Sequence, residues 1–197
     1  MARDRRTEIL DVAREVFLEQ GYAAASMSTI ASRVGGSKGT LYNYFDSKEQ
    51  LFRAHIEREC ALSAENIFGS ADESQDIASQ LLDLGIRYLA TLTSERVIAN
   101  ARAVVAEAGR NKEVGEIFYD AGPRAGGERL AQLFEQAGAS NKLKIDDPQI
   151  AAHHFMALCQ AGVYRRRLFN VGGKPSAKNI RTDIEAAVRT FMRAFAV

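Results

Sequence analysis

Between Ser26 and Phe45 the chain reads SMSTIASRVGGSKGTLYNYF, two short helical patterns that meet at a double glycine. This stretch limits the fold more than any other. Ser26 is a side chain that caps helices, and Met27, Ile30, Ala31 and Val34 follow at the spacing of one buried helical face. Gly35 and Gly36 supply a sharp turn that residues with a Cβ resist, and Ser37 is placed to cap a second helix. In that helix Leu41 and Phe45 lie four apart and face inward, which leaves Lys38, Gly39, Thr40, Tyr42, Asn43 and Tyr44 at or near the outer surface. The only charged residues in the stretch are Arg33 and Lys38, so nothing in it repels a phosphate backbone. Ammonium, hydroxyl, amide and phenol groups donate hydrogen bonds to phosphate oxygens and base edges. The geometry is helix-turn-helix, with the second helix in the position that reads DNA.

A plain helical hairpin with a solvated polar face is the alternative reading of a helix-Gly-Gly-helix. The longer string is more specific: IAxxxGxSKGTLYxYFxSKEqLf resembles the DNA-binding domain of the TetR family of repressors, matched at Ile30, Ala31, Gly35, Ser37 to Tyr42, Tyr44, Phe45 and Ser47 to Phe52. The resemblance implies that Lys38, Thr40, Tyr42 and Tyr44 contact operator DNA, that Lys48 reaches a phosphate, and that Ser26 and Ser28 do likewise. With Ser37, Gly39 and Asn43 these make the candidate DNA-binding set. Gly36 departs from the family pattern, which carries Val or another side chain there.

The rest of the chain reads as helix. A basic arm, Ala2 to Arg6, precedes an amphipathic stretch from about Arg5 to Gln20 that ends at Gly21. Ser47 opens one long helix to about Ile67, with Glu49 and Gln50 in its first turn. GSADESQD (Gly69 to Asp76) is a polar loop. Helical periodicity covers Ile77 to Leu92, Val97 to Ala108, Glu113 to Ala121, and stretches near 124–137, 148–169 and 177–195. Pro123, Pro148 and Pro175 fall beside break signals, and no stretch shows the period of a strand. The expected fold is all-α: a three-helix helix-turn-helix bundle over residues 1–46, then a helical ligand-binding and dimerisation domain over 47–197.

Two of the later helices point to a partner. Ile150 to Val163 is apolar almost all round, so it should be covered on both sides. The last helix carries a wide stripe, Ile180, Ile184, Ala187, Val188, Phe191, Met192 and Phe195. Helices near 148–169 and 177–195 are therefore expected to form a homodimer seam, a bundle of two helices from each chain, with that stripe at its centre. RAVVAEAGRNKEVGEIFYDAGP, then LAQLF and LKIDDPQIAAHHFMAL, resembles the C-terminal domain of the AefR-like branch of the same family. That resemblance implies a sensor of small, largely apolar molecules.

The apolar fraction of 46% supports a sizeable core, and a net charge of +1 gives no global field toward nucleic acid. Cys60 and Cys159 have neither metal nor redox spacing and suit a reduced, cytoplasmic setting as free thiols. No apolar run approaches membrane-spanning length, so no membrane association is expected. His153 and His154 are the one hint of catalysis or metal, but neighbours on a helix point about 100° apart and cannot share one ion unaided. No cofactor, metal or catalytic residue is expected. One of the two histidines is expected to face the interior. Phe118, Tyr119, Phe134, Phe155, Met156 and Cys159 read as core, some of them beside a cavity. The candidate effector residues are Tyr88, Arg102, Phe118, Phe134, His154, Phe155 and Cys159, whose polar members need partners if buried. The chain thus reads as a ligand-responsive regulator, a repressor that binds a palindromic operator as a dimer and is released by a small apolar or aromatic effector. The competing reading is a helical small-molecule-binding or catalytic protein whose helix-turn-helix is only structural.

Overall fold

The structure, a computed structural model, describes residues 4–69 and 75–197. Ala2 and Arg3 of the basic arm, and positions 70–74 of the polar loop, lie outside the described residues. The chain is all-α: α1 (Arg5–Ala24), α2 (Met27–Val34), α3 (Lys38–Tyr42), α4 (Lys48–Phe68), α5 (Ile77–Leu92), α6 (Glu95–Ala108), α7 (Lys112–Tyr119), α8 (Ala125–Ala139), α9 (Pro148–Gln160), α10 (Val163–Leu168) and α11 (Ala177–Phe195). Pro123 does not end the helical path. Lacking an N–H, it is taken up in one wide π-helical turn, Asp120–Arg124, between α7 and α8.

Packing divides the chain into two units, residues 1–61 with 99–121, and 62–98 with 122–197. This is a different division from a boundary at residue 46, because the first half of α4, Val104 of α6, and Val114 and Ile117 of α7 join the core around α1–α3. In the first unit Ile9, Leu10, Ala13, Val16 and Phe17 of α1 meet Met27, Ile30 and Val34 of α2, Leu41, Phe45, and Leu51, Phe52 and Ile56 of α4. Phe17 meets Phe52 edge-on at 5.2 Å between ring centres, and Tyr22 meets Phe52 at 4.9 Å. Gly21 (φ 76°) breaks α1 where the sequence places its end, and one further turn carries Tyr22 back into the core. Tyr119, expected in the core, is 54% exposed. The buried residues of α7 are Val114 and Ile117, and a residue two places on is turned about 200° away from them.

The second unit is built around α5, α8, α9 and α11. Phe134, Phe155 and Phe191 form a ring cluster with centroids 5.1–6.0 Å apart, closed by Leu81, Leu84, Ala151, Cys159 and Ile184. Asp147 caps α9 by accepting from the Gln149 and Ile150 N–H groups at 2.8 and 3.0 Å, and Ser176 with Asn179 makes a reciprocal capping box on α11.

Three sequence expectations change here. The helix expected over 148–169 is two, broken at Ala161 and Gly162. The Asp183 carboxylate accepts the Val163 N–H at 2.7 Å, and a Cβ on Gly162 would collide with that carboxylate and push it off the bond. The middle of the α11 stripe is not available as a seam, because Ile184, Ala187, Val188 and Phe191 are buried against the chain's own α5, α8 and α9, while Met192 and Phe195 remain half-buried. On α9 the chain itself covers one face and leaves the other open. Ala151, Ala152, Phe155 and Cys159 face the core, while Ile150, His153, His154 and Ala157 form an exposed stripe on the opposite face. Both histidines are therefore outside, and neither faces the interior.

Candidate nucleic-acid interface

Local hydrogen bonding sets the helix-turn-helix. The Ser26 Oγ accepts the Thr29 N–H at 3.0 Å, and the Ser37 Oγ accepts the Thr40 N–H at 3.0 Å, so each helix begins at a hydroxyl cap. Gly35 ends α2 in the left-handed conformation (φ 72°), and its N–H and that of Gly36 bond back to the carbonyls of Ser32 and Ala31 at 3.2 and 3.1 Å. Leu41 is the one buried residue of α3. Lys38, Gly39, Tyr42, Asn43 and Tyr44 are exposed, Thr40 is half-buried, and the Lys38 ammonium lies 5.8 Å from the centre of the Tyr42 ring. Ser28 is exposed on the first turn of α2. Ser26 and Ser37 serve as caps and each also shares a hydrogen bond with the hydroxyl of Thr29 or Thr40 at 2.9 Å, which leaves each serine one position for a ligand.

Lys48 is placed differently from what the resemblance implies. Its ammonium donates to the carbonyls of Tyr22, Ala23 and Ala25 at 2.9, 3.4 and 3.2 Å and sits 4.4 Å from the Tyr22 ring centre. It closes the end of α1 on the start of α4, rather than standing free for a phosphate. The Tyr22 hydroxyl donates to Glu49 at 3.1 Å. Burial first, then that acceptor, push the phenol above its ordinary pKa, while Glu49's own backbone N–H, Ser47 and Tyr22 hold its carboxyl below the usual range. Arg33 is spent on Glu19 at 2.6 Å. Arg5 pairs with Glu8 at 2.7 Å and donates to the Val34 carbonyl at 3.3 Å, so it holds the end of α2. No periodicity or motif signalled these contacts, since each depends on which helices meet.

The candidate effector residues fall in different places. Arg102 and Phe118, both half-buried, belong to the first unit, and the other five to the second. Phe134, Phe155 and Cys159 are wholly core, and His154 is exposed with its ring 6.4 Å from Phe195. The Tyr88 hydroxyl accepts from the Gln160 amide, and burial raises the Tyr88 phenol. Sequence reasoning missed three polar side chains buried in the first unit: His55, Glu59 and Asn100. Asn100 donates to Glu59 at 3.5 Å. Beside them Phe17, Tyr22, Phe52 and Val104 line a cleft of about 20 Å³, the space of one water. Among the described residues no cluster of His, Cys, Asp and Glu has metal-binding geometry, and no helix is long and apolar enough to cross a membrane. Both cysteines are free thiols, pushed by burial to about 11 at Cys60 and about 12 at Cys159, which keeps them protonated and unreactive at neutral pH.

A capped tri-helical core that exposes one short polar helix, followed by a separate helical unit, defines a helix-turn-helix DNA-binding protein. Comparison with known families agrees. Residues 9–55 match the bacterial regulatory proteins of the tetR family, and residues 79–197 match the C-terminal domain of AefR-like transcriptional repressors. The chain belongs to the TetR family of transcriptional regulators. It is a DNA-binding regulator and not an enzyme. It is 33% identical to the solved structure of the flavonoid-responsive regulator FrrA, covering 98% of this chain and 97% of that one with a TM-score of 0.86. A TetR-family regulator from Mesorhizobium loti MAFF303099 shares the fold with the same TM-score at 24% identity, covering 98% and 97%. Among curated relatives, the regulator UidR of Escherichia coli K12 is 37% identical over 123 residues, 59% of this chain, and the match spans 58% of UidR's length.

Proposed function

We propose that this regulator binds a two-fold-symmetric operator as a homodimer and represses until a small apolar or aromatic effector releases it. The carrying observation is α3, whose single buried residue, Leu41, leaves Lys38, Tyr42, Asn43 and Tyr44 outward. In this reading Lys38 and Tyr42 meet phosphates, and Thr40 and Asn43 read bases. Residues 1–46 are the operator-binding part and 47–197 the sensing and dimerising part. The exposed stripe Ile150, His153, His154 and Ala157 of α9 replaces the α11 stripe as the seam. Two-fold pairing would set the recognition helices roughly 34–36 Å apart in successive major grooves. Repression is favoured over activation by the match to the AefR-like repressor domain.

For the effector, the named response of the 33% identical FrrA supports an aromatic polyphenol-like ligand. Of the seven candidate residues, Tyr88 with its Gln160 partner offers the polar handle such a molecule needs inside an apolar core. Phe134, Phe155 and Cys159 supply apolar wall, with Arg102, Phe118 and His154 in lesser roles.

The test is a mobility shift on the DNA upstream of its own gene. Lys38→Ala should weaken binding across sequences and make the salt dependence shallower by about 0.9 in log–log slope. Unaltered operator affinity in a Lys38→Ala, Tyr42→Phe double variant sinks the assigned roles. Calorimetric titration of a flavonoid with and without operator then reads the switch. A coupling of about 1–3 kcal/mol gives a 5–150-fold difference, and equal affinities mean that no switch exists.

A further inference from the structure

Between Pro148 and Thr182 the chain holds six Lys and Arg and no Asp or Glu, against a whole-chain net charge of +1, which leaves −5 for all other residues. The six lie within Arg165 to Arg181. Arg167 is buried and paired with Glu95, and Arg181 stands 3.9 Å from Glu185. Arg165, Arg166, Lys174 and Lys178 are exposed and, among the described residues, have no carboxylate partner. Between them the loop carries the most exposed large apolar side chain of the described residues, Phe169 at 75%, with Val171 at 55%. The loop is fixed. The N–H groups of Phe169, Asn170 and Val171 bond at 2.8–3.1 Å to the carbonyls of Arg165, Arg167 and Arg166 at the end of α10, and Asn170 and Gly172 turn the chain at φ 59° and 80°. This is an ordered apolar loop flanked in sequence by four exposed cations.

The N-terminal part of the first unit differs. Residues 1–61 contain nine basic and nine acidic side chains, and four of those cations are engaged: Arg5 with Glu8, Arg33 with Glu19, Arg58 with Asp11, Lys48 with three carbonyls. Affinity for a DNA polyanion comes mainly from cations that meet phosphates and release counterions. A neutral reading unit with Lys38 as its free recognition-helix cation supplies little of it.

We infer that the Arg165–Lys178 loop is a second, sequence-independent contact for the phosphate backbone of duplex DNA. Arg165, Arg166, Lys174 and Lys178 meet phosphates, and Phe169 packs on sugar or at a base step. Apolar side chains wedge in this way at minor-groove contacts. A bare phosphate patch has no use for an exposed Phe, and a purely apolar docking surface has none for four cations. The contact supplements α3 and assumes only that the chain binds DNA.

The experiment uses the full chain, an operator duplex and a random duplex of equal length, titrated over a range of salt. In Arg165→Gln, Arg166→Gln, Lys174→Gln, Lys178→Gln the affinity for random duplex should fall at least tenfold at about 100 mM salt. The log–log slope should become shallower by two units or more, at about 0.9 per phosphate lost, and operator preference over random DNA should be retained. If that variant does not fold, as circular dichroism would report, the pair Arg165→Gln, Lys178→Gln should show about half the change. Phe169→Ser alone should weaken random-duplex binding a few-fold without altering the slope. An unchanged slope overturns the inference, as does wild-type binding to phosphatidylserine vesicles that the variant loses while its DNA slope stays put, which would assign the loop to an anionic membrane. A wild type that binds random duplex but prefers no upstream sequence would sink the operator reading instead, and leave this one to stand or fall on the slope.

Discussion

Leu41 is the one buried residue of α3, whereas Ile180, Ile184, Ala187, Val188 and Phe191 of α11 are all buried. The five-residue recognition helix owes its start to a serine cap and its end to the turn at Asn43 and Tyr44. The nineteen-residue helix owes its position to a wide apolar face pressed on three others. In the first unit polar groups fix geometry: Ser26 and Ser37 cap, Lys48 clamps, Arg5 holds the Val34 carbonyl. In the second, interlocking rings do that work, with hydrogen bonds at the helix ends. Directional bonds allow few alternatives, while apolar packing accepts many side chains of similar volume. A recognition surface that must match DNA to a fraction of an ångström needs the first kind of construction.

Three perturbations would break or sharpen this contrast. The largest effect is expected at Phe191, whose ring lies 5.1 and 5.2 Å from Phe134 and Phe155. Phe191→Ala should cost about 3–5 kcal/mol in denaturant unfolding of the full chain. A loss under about 1 kcal/mol would mean that the ring cluster does not hold the second unit. Next comes Lys48→Met, which keeps the aliphatic stem and removes three donated bonds, for a loss of about 1–2 kcal/mol at this half-exposed site. The same variant decides between clamp and phosphate contact: a clamp leaves the salt slope of operator binding unchanged, and a phosphate contact lowers it by about 0.9. The smallest effect concerns Glu49. Its carboxyl pKa is depressed in the folded chain, so its contribution is present above the ordinary glutamate pKa of about 4.3 and is lost as pH falls through the lower folded value. Acid unfolding curves of Glu49→Gln should therefore diverge from wild type above about pH 4 and converge below it. Parallel curves throughout would remove Glu49 from the clamp.

The same contrast explains what could be read before any coordinates. Caps and the double glycine are local, so α2 and the start of α3 were legible to the residue, and α5 begins and ends at Ile77 and Leu92 as its periodicity requires; the helix expected through Phe45 stops at Tyr42, with Phe45 buried just beyond the turn. Partner choice for an apolar face is not local. The α11 stripe fits an intersubunit seam and an intramolecular core equally well until α5, α8 and α9 are in place to occupy it. The histidine pair failed for a related reason, since the side of α9 that is buried follows from where Ala151, Phe155 and Cys159 find neighbours. Gly162 was visible in the sequence, but Asp183, which holds the Val163 N–H at the break, lies 20 residues further on. Lys48 had a donor group and a plausible phosphate role, and the three carbonyls that engage it come from residues 23 to 26 positions earlier.

The two protonated thiols, in a chain without tryptophan, also leave the molecule with an unusually quiet spectroscopic background. Thiolates attack maleimides and nitroxide reagents, and burial that raises Cys60 to about 11 and Cys159 to about 12 keeps both thiols protonated at pH 7. A cysteine introduced at exposed Asn43 would thus label selectively without removing either native one. A paramagnetic tag there would turn the spacing of recognition helices in a homodimer into a directly measurable distance distribution, with and without a candidate effector. A single tryptophan in place of Tyr44 would likewise report DNA contact against a dark protein.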